Sequence, residues 1–113
     1  MTRVFFEPQE PRLTMEGHAG AGEKGGDLVC AALSMLMMTL ERRMQETAEQ
    51  SFPSVSRSPG HFAIACRPTE DFSALCRESF ETVAAGLALL AERESAFVSF
   101  GREIEEEGEE TEQ

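Results

Sequence analysis

The sequence predicts an α+β fold, a two-layer sandwich in which a mixed, largely antiparallel sheet is covered by two long helices in the order ββαββαβ. Short segments near both ends and in the middle of the chain alternate apolar and polar residues, the period of a half-buried strand. Two longer stretches, beginning at Leu28 and at Pro68, repeat apolar residues at helical spacing. A chain of 113 residues, 41% of them apolar, has material for one core and not for two.

Thr2 to Glu7 (TRVFFE) reads as the first strand, closed by Pro8 and Pro11 with a turn between them. Arg12 to Glu16 follows with Leu13 and Met15 on one face, which predicts an antiparallel hairpin with Pro11 at its edge. Gly17 to Asp27 holds Gly17, Gly20, Gly22, Gly25 and Gly26, more than half of the nine glycines, and reads as a loop. It lacks the spacing of a phosphate-binding loop, because Lys24 precedes two glycines and no Ser or Thr follows. Asp27 is a suitable N-cap for a helix running from Leu28 to near Glu49, with Leu36, Leu40 and Met44 on one face.

Ser51 to Arg57 is an edge-strand candidate interrupted by Pro53, and Ser58-Pro59-Gly60 is a turn. His61 to Arg67 then alternates as a central strand, with Phe62, Ile64 and Cys66 facing one way. Pro68 to Asp71 opens the second helix, where acids suit the positive end of the dipole. Its apolar face is Phe72, Leu75, Cys76, Phe80, Val83, Leu87 and Leu90. Phe97 to Glu103 is the last strand, so the domain is expected over 1–103, with 104–113 a solvated acidic tail.

Charge and cysteine content exclude several function classes. The net charge is −11, but seven of the 21 acids lie in the last eleven residues, and the body is nearly balanced. No segment clusters the cations that phosphate-backbone binding needs, so nucleic acid is not an expected ligand. The apolar run Leu28 to Leu40 is shorter than the roughly 20 residues of a membrane span. No basic segment followed by an apolar run opens the chain, so a soluble, cytoplasmic protein is expected. Cys30, Cys66 and Cys76 are an odd number with no CxxC pair, and only His18 and His61 stand beside them. Reduced thiols are expected, with no metal and no cofactor.

One constellation is suited to catalysis. If Asp27 caps the helix, Cys30 is the third helical residue, where free N–H groups and the dipole favour a thiolate. His18 ends the preceding strand segment, and the loop can return it to the helix start. A histidine that takes the thiol proton and returns it to a leaving amine is what acyl transfer needs, and free N–H groups of a first turn can hold an oxyanion. The residues alone also admit a plainer reading: Cys30 as a small core residue and His18 as a surface or capping residue. Cys66 and Cys76 fall in regular apolar periods and read as core. His61 reads as structural, with a place in the same cleft left open. Met35, Met37 and Met38 read first as core or dimer-contact residues and second as an adaptable apolar cleft.

The segment MEGHAGAGEKGGDLVCAALSML, Met15 to Leu36, resembles the signature of the ribosomal-processing cysteine protease family, Prp. Gly17, His18, Ala19, Asp27, Val29, Cys30, Ala31 and Ser34 carry the likeness, and Gly60 to Phe62 and the second helix extend it over most of the chain. The resemblance implies a cysteine endopeptidase with Cys30 as nucleophile and His18 as general base. It also implies a homodimer, and a movable cover over the peptide that includes Gly20, Gly22, Gly25 and Gly26. Asp27 and Ser34 match positions near the dyad, Asp27 as cap or orienter and Ser34 as a contact to nucleophile or peptide. The implied substrate is the N-terminal extension of large-subunit ribosomal protein twenty-seven, cut after a Phe-Phe-type motif. The alternatives are a non-catalytic dimeric module that binds a peptide, and a redox or metal-binding thiol protein.

Overall fold

The computed structural model describes residues 1–17 and 24–104, with the backbone alone for 24–27. Strands β1 (Thr2–Glu7) and β2 (Arg12–Glu16) form the expected antiparallel hairpin. Helix α1 (Lys24–Glu46) and the short α2 (Ala48–Ser51) follow. Strands β3 (Pro53–Ser58) and β4 (His61–Cys66) make a second hairpin. A 3-10 turn (Glu70–Phe72) leads into α3 (Ser73–Arg93), and β5 (Val98–Arg102) ends the domain. The strand order is β3-β4-β2-β1-β5, antiparallel throughout except for the parallel pairing of β1 with β5. The architecture is the mixed sheet covered by two long helices that the sequence predicts.

Register carries the strand periodicity into a core. Leu13 stands beside Phe6 and Ile64, while Val4 stands beside Met15 and Phe100. These side chains share the inner face with Val29, Leu33, Met37, Leu40 and Met44 of α1 and Cys76, Phe80 and Leu87 of α3. Each fully buried side chain of this size contributes about 1.5–3 kcal/mol. Helix α1 packs on β3 and β4, and α3 on β5 and β2. Where the helices touch, Gly86 of α3 lies against Leu36: a Cβ there would come within 3.2 Å of the leucine methyl.

The two sheet edges are tied to the helices in the same way. On β3, Arg57 stacks over the Phe62 ring of the neighbouring strand, 4.4 Å from its centroid, and forms a two-toothed pair with Glu41 of α1. On β5, Arg102 lies 5.0 Å over the Phe6 ring and bonds Glu81 of α3 at 3.0 and 2.7 Å. Those bonds hold the Glu81 carboxyl below the usual carboxylate range.

Several element boundaries differ from expectation. Helix α1 begins at Lys24, so Gly25 and Gly26 are helical rather than loop residues, and Asp27 lies inside the helix instead of capping it. Glycine weakens a helix interior by about 1 kcal/mol without forbidding it, and the tertiary packing of the following turns outweighs that. At the other end α1 stops at Glu46, and the Thr47 hydroxyl just beyond it bonds the carbonyls of Arg43 and Met44. The separate α2 that follows closes on Phe52, whose φ of 46° is left-handed. Pro53 starts β3 instead of breaking it, since a first residue on an edge strand needs no ladder N–H. The second helix is split into a 3-10 turn and α3, and Leu75, placed on its buried face, is exposed. Of the candidate tail, residues 105–113 lie outside the described residues.

Gly17, at the end of β2, has φ +96°, and a Cβ there would stand 2.4 Å from the Met1 carbonyl oxygen. We predict that Gly17→Ala lowers unfolding free energy by about 2 kcal/mol or more, measured by urea denaturation. Burial pushes the Cys66 thiol from 9.0 up to about 12, with Cys76 adding to the rise and Ser51 opposing it. A thiol whose folded value is raised favours the fold while protonated, and that support is lost as pH rises from about 9 to 12. Alkaline unfolding should therefore steepen in this window, and Cys66→Ala should flatten it.

Candidate active site

At one end of the sheet β2 and β3 finish, β1 and β4 begin, and α1 passes above. The register row Arg57–Phe62–Met15–Val4 crosses the inner face there. Between this row and α1 lies a cleft of about 370 Å³. Met15, Phe62 and Leu33 give it an apolar lining, with Arg57 stacked on Phe62 as one wall. Cys30 and Ser34 line it from α1, and Thr2 and Gly17 from the ends of β1 and β2.

Helical spacing explains the α1 side. Val29 and Leu33 are buried on the sheet and fix the rotation of the helix. Cys30 is one residue further round and half-buried, and Ser34 follows it by one turn on the same side. The other side depends on Gly17. Its N–H donates to the Gly60 carbonyl at 2.9 Å, and its positive φ turns the chain out of β2 at the cleft.

The site residues named from sequence fare differently. Cys30 and Ser34 share the cleft. His18, Gly20 and Gly22 lie outside the described residues, as does the Asp27 side chain. Because α1 starts at Lys24, Cys30 is its seventh residue and lies about 9 Å along the axis from the first. The unsatisfied N–H groups belong to the opening turn, so the expected first-turn position of Cys30, with free backbone donors at its sulfur, is not what this helix provides.

His61 is among the residues that line the cleft, from the start of β4, while Phe62 and Ile64 point inward and the alternation turns the His61 ring toward the outer face. There its Nδ1 is 3.2 Å from Glu16, its cross-strand neighbour, which makes it a structural pair. Met37 is core, while Met35 and Met38 are exposed and line a separate groove with Arg42 and Gln45, away from Cys30. Cys66 and Cys76 are buried as expected, with Cys76 Sγ 3.9 Å from the Met44 sulfur, and burial raises both thiols. Among the described residues no group of three or more His, Cys, Asp or Glu is placed to hold a metal.

Thr2 and Arg57 escaped the sequence reading. Arg57 belongs to the alternation of β3, opposite Phe62, a signal visible only once the β3–β4 register is known. Thr2 carries no motif at all.

The sequence profile of the cysteine protease Prp family matches residues 1–99. No curated protein sequence matches the chain. Among solved structures, the chain is similar to an essential ribosomal processing protease, Prp, from S. aureus in complex with a covalently linked product peptide. The TM-score is 0.75 at 21% identity, covering 91% of this chain and all of the other. The same S. aureus protease with a substrate peptide gives 0.74 at 20% identity, over the same shares of the two chains. A Streptococcus mutans protein gives 0.67 at 25% identity, covering 89% of this chain and 90% of its own.

Half-exposure of Cys30 against the burial of Cys66 and Cys76 predicts a single adduct when the native protein meets iodoacetamide. Peptide mapping should place it on Cys30, with the other two thiols reacting only in denaturant.

Proposed function

Because the chain belongs to the cysteine protease Prp family, we propose that it is an endopeptidase of ribosome assembly, removing the N-terminal extension of large-subunit ribosomal protein twenty-seven after a Phe-Phe-type motif. The observation that carries this reading is the joint opening of Cys30 and Ser34 onto an apolar cleft that Gly17, the residue before His18, also lines. An aromatic side chain matches a lining of Met15, Leu33 and Phe62.

In this reading His18 accepts the Cys30 thiol proton, and the sulfur attacks the scissile carbonyl carbon. The resulting tetrahedral adduct expels the amine, which takes the proton from His18, and leaves a thioester. Water, deprotonated by the same imidazole, then attacks the thioester carbonyl and releases the acid and the thiol. Asp27, inside α1, orients the imidazole, Ser34 contacts the nucleophile or the peptide, and Gly20 and Gly22 belong to the segment that covers it.

The domain is 1–103, followed by an acidic tail. Its partners are the ribosomal substrate and a second copy of the chain. The outer side of α1 offers Leu28, Met35 and Met38, all exposed, for the dimer contact. No helix among the described residues is long and apolar enough to cross a membrane, and a ribosomal substrate places the work in the cytoplasm.

A blocked peptide with Phe-Phe at its centre tests the activity. Mass spectrometry should show two products whose masses sum to the peptide plus one water. Cys30→Ala should lose cleavage by about a thousandfold or more while keeping its thermal midpoint. Binding without products by the unaltered protein would identify a peptide-binding module instead. Light scattering should give twice 12.5 kDa for the native chain, and Met35→Lys should shift it toward the monomer.

A further inference from the structure

One buried hydroxyl at the cleft has no partner among the described residues. Thr2 is 2% exposed, and its Oγ1 is buried without a hydrogen bond. It opens β1 on the inner face, in alternation with Val4 and Phe6. The backbone around it is accounted for, since its N–H donates to Phe97 at 2.8 Å and it pairs in register with Val98. Only the hydroxyl is orphaned, and it belongs to a residue that lines the same cleft as Cys30.

Leaving a hydroxyl desolvated and unbonded is unfavourable. Valine has nearly the same shape and β-branching, and it would suit a buried strand position without that cost. What threonine adds over valine at this position is therefore the hydroxyl alone. A peptide main chain presents both N–H and C=O groups, and a hydroxyl can accept from the first or donate to the second. Rotation about one bond, χ1, is enough to redirect it.

We infer that Thr2 is a substrate-binding residue, its hydroxyl bonding a main-chain group of the peptide seated beside Cys30. The inference rests on the endopeptidase reading and adds a contact that holds the substrate without acting on the sulfur. Thr69 supplies a matched control. Its hydroxyl is also buried and unbonded, but it lies three residues beyond the far end of β4 and does not line the cleft.

The test uses the full chain carrying Cys30→Ala, so that binding is read without turnover, and the blocked Phe-Phe peptide as probe. Adding Thr2→Val should weaken the peptide Kd by about threefold to tenfold while the thermal midpoint holds or rises. Thr2→Ser should restore binding, and Thr69→Val should leave it unchanged. In the active protein Thr2→Val should raise KM, with kcat and the alkylation rate of Cys30 unmoved. Equal affinity of the Cys30→Ala protein with and without Thr2→Val overturns the inference and leaves the endopeptidase reading standing. A fall in midpoint with Thr2→Val overturns it too, by giving the hydroxyl a structural role. So does a loss of kcat or alkylation at constant KM, which would place its action on the thiol. If the Cys30→Ala protein binds no peptide, the endopeptidase reading fails first and the inference with it.

Discussion

Helix α1 has five side chains, Val29, Leu33, Met37, Leu40 and Met44, that are each 5% exposed or less and form one stripe along the sheet. Burying them together fixes both the height of the helix over β3 and β4 and its rotation about its own axis. Rotation is what matters for chemistry. A turn of 100° per residue puts Cys30 just off the stripe, and Ser34 repeats that position one turn later. Their common place on the cleft is thus a by-product of core packing.

The cleft lies where α1 passes over the end of the sheet at which β2 and β3 finish. Where β2 leaves the sheet there is no side chain to fill the corner: Gly17 has no Cβ, and the Met1 carbonyl occupies the place where one would be. Arg57 closes the opposite side, lying flat on Phe62 while Glu41 of α1 holds its guanidinium. Arg102, Phe6 and Glu81 repeat the arrangement at the other edge. The clamp therefore belongs to the architecture, an amphipathic cation covering an aromatic ring where a sheet edge meets water. The cleft has borrowed one of the two as a wall.

Environment separates groups of identical chemistry. Cys66 and Cys76 are sealed in the core beside Met44, where burial disfavours the thiolate. Cys30 stands on the boundary. The two orphaned threonine hydroxyls divide in a similar way: Thr69 is remote from the cleft and Thr2 faces it. A buried polar atom without a partner is a local cost, and at the edge of a cleft a ligand can remove it. His61 illustrates the converse. It sits at the rim, but its ring is engaged by Glu16 on the outer face, where strand alternation sends it.

The strand and helix periods, the two proline-marked turns and the Gly-His…Asp-x-Val-Cys motif are local, and the chain itself was enough to predict five strands and two long helices. The split of the second helix and the break after Glu46 are boundaries that the apolar period, which runs across both, does not mark. Only tertiary structure decided that β5 lies parallel beside β1, that Arg57 stacks on Phe62, and that Thr2 shares a cleft with a cysteine 28 positions away. The reason is physical. Periodicity reports which face of an element leaves water, but register and helix rotation settle which residues meet there, and both are set by the burial of the whole inner face at once.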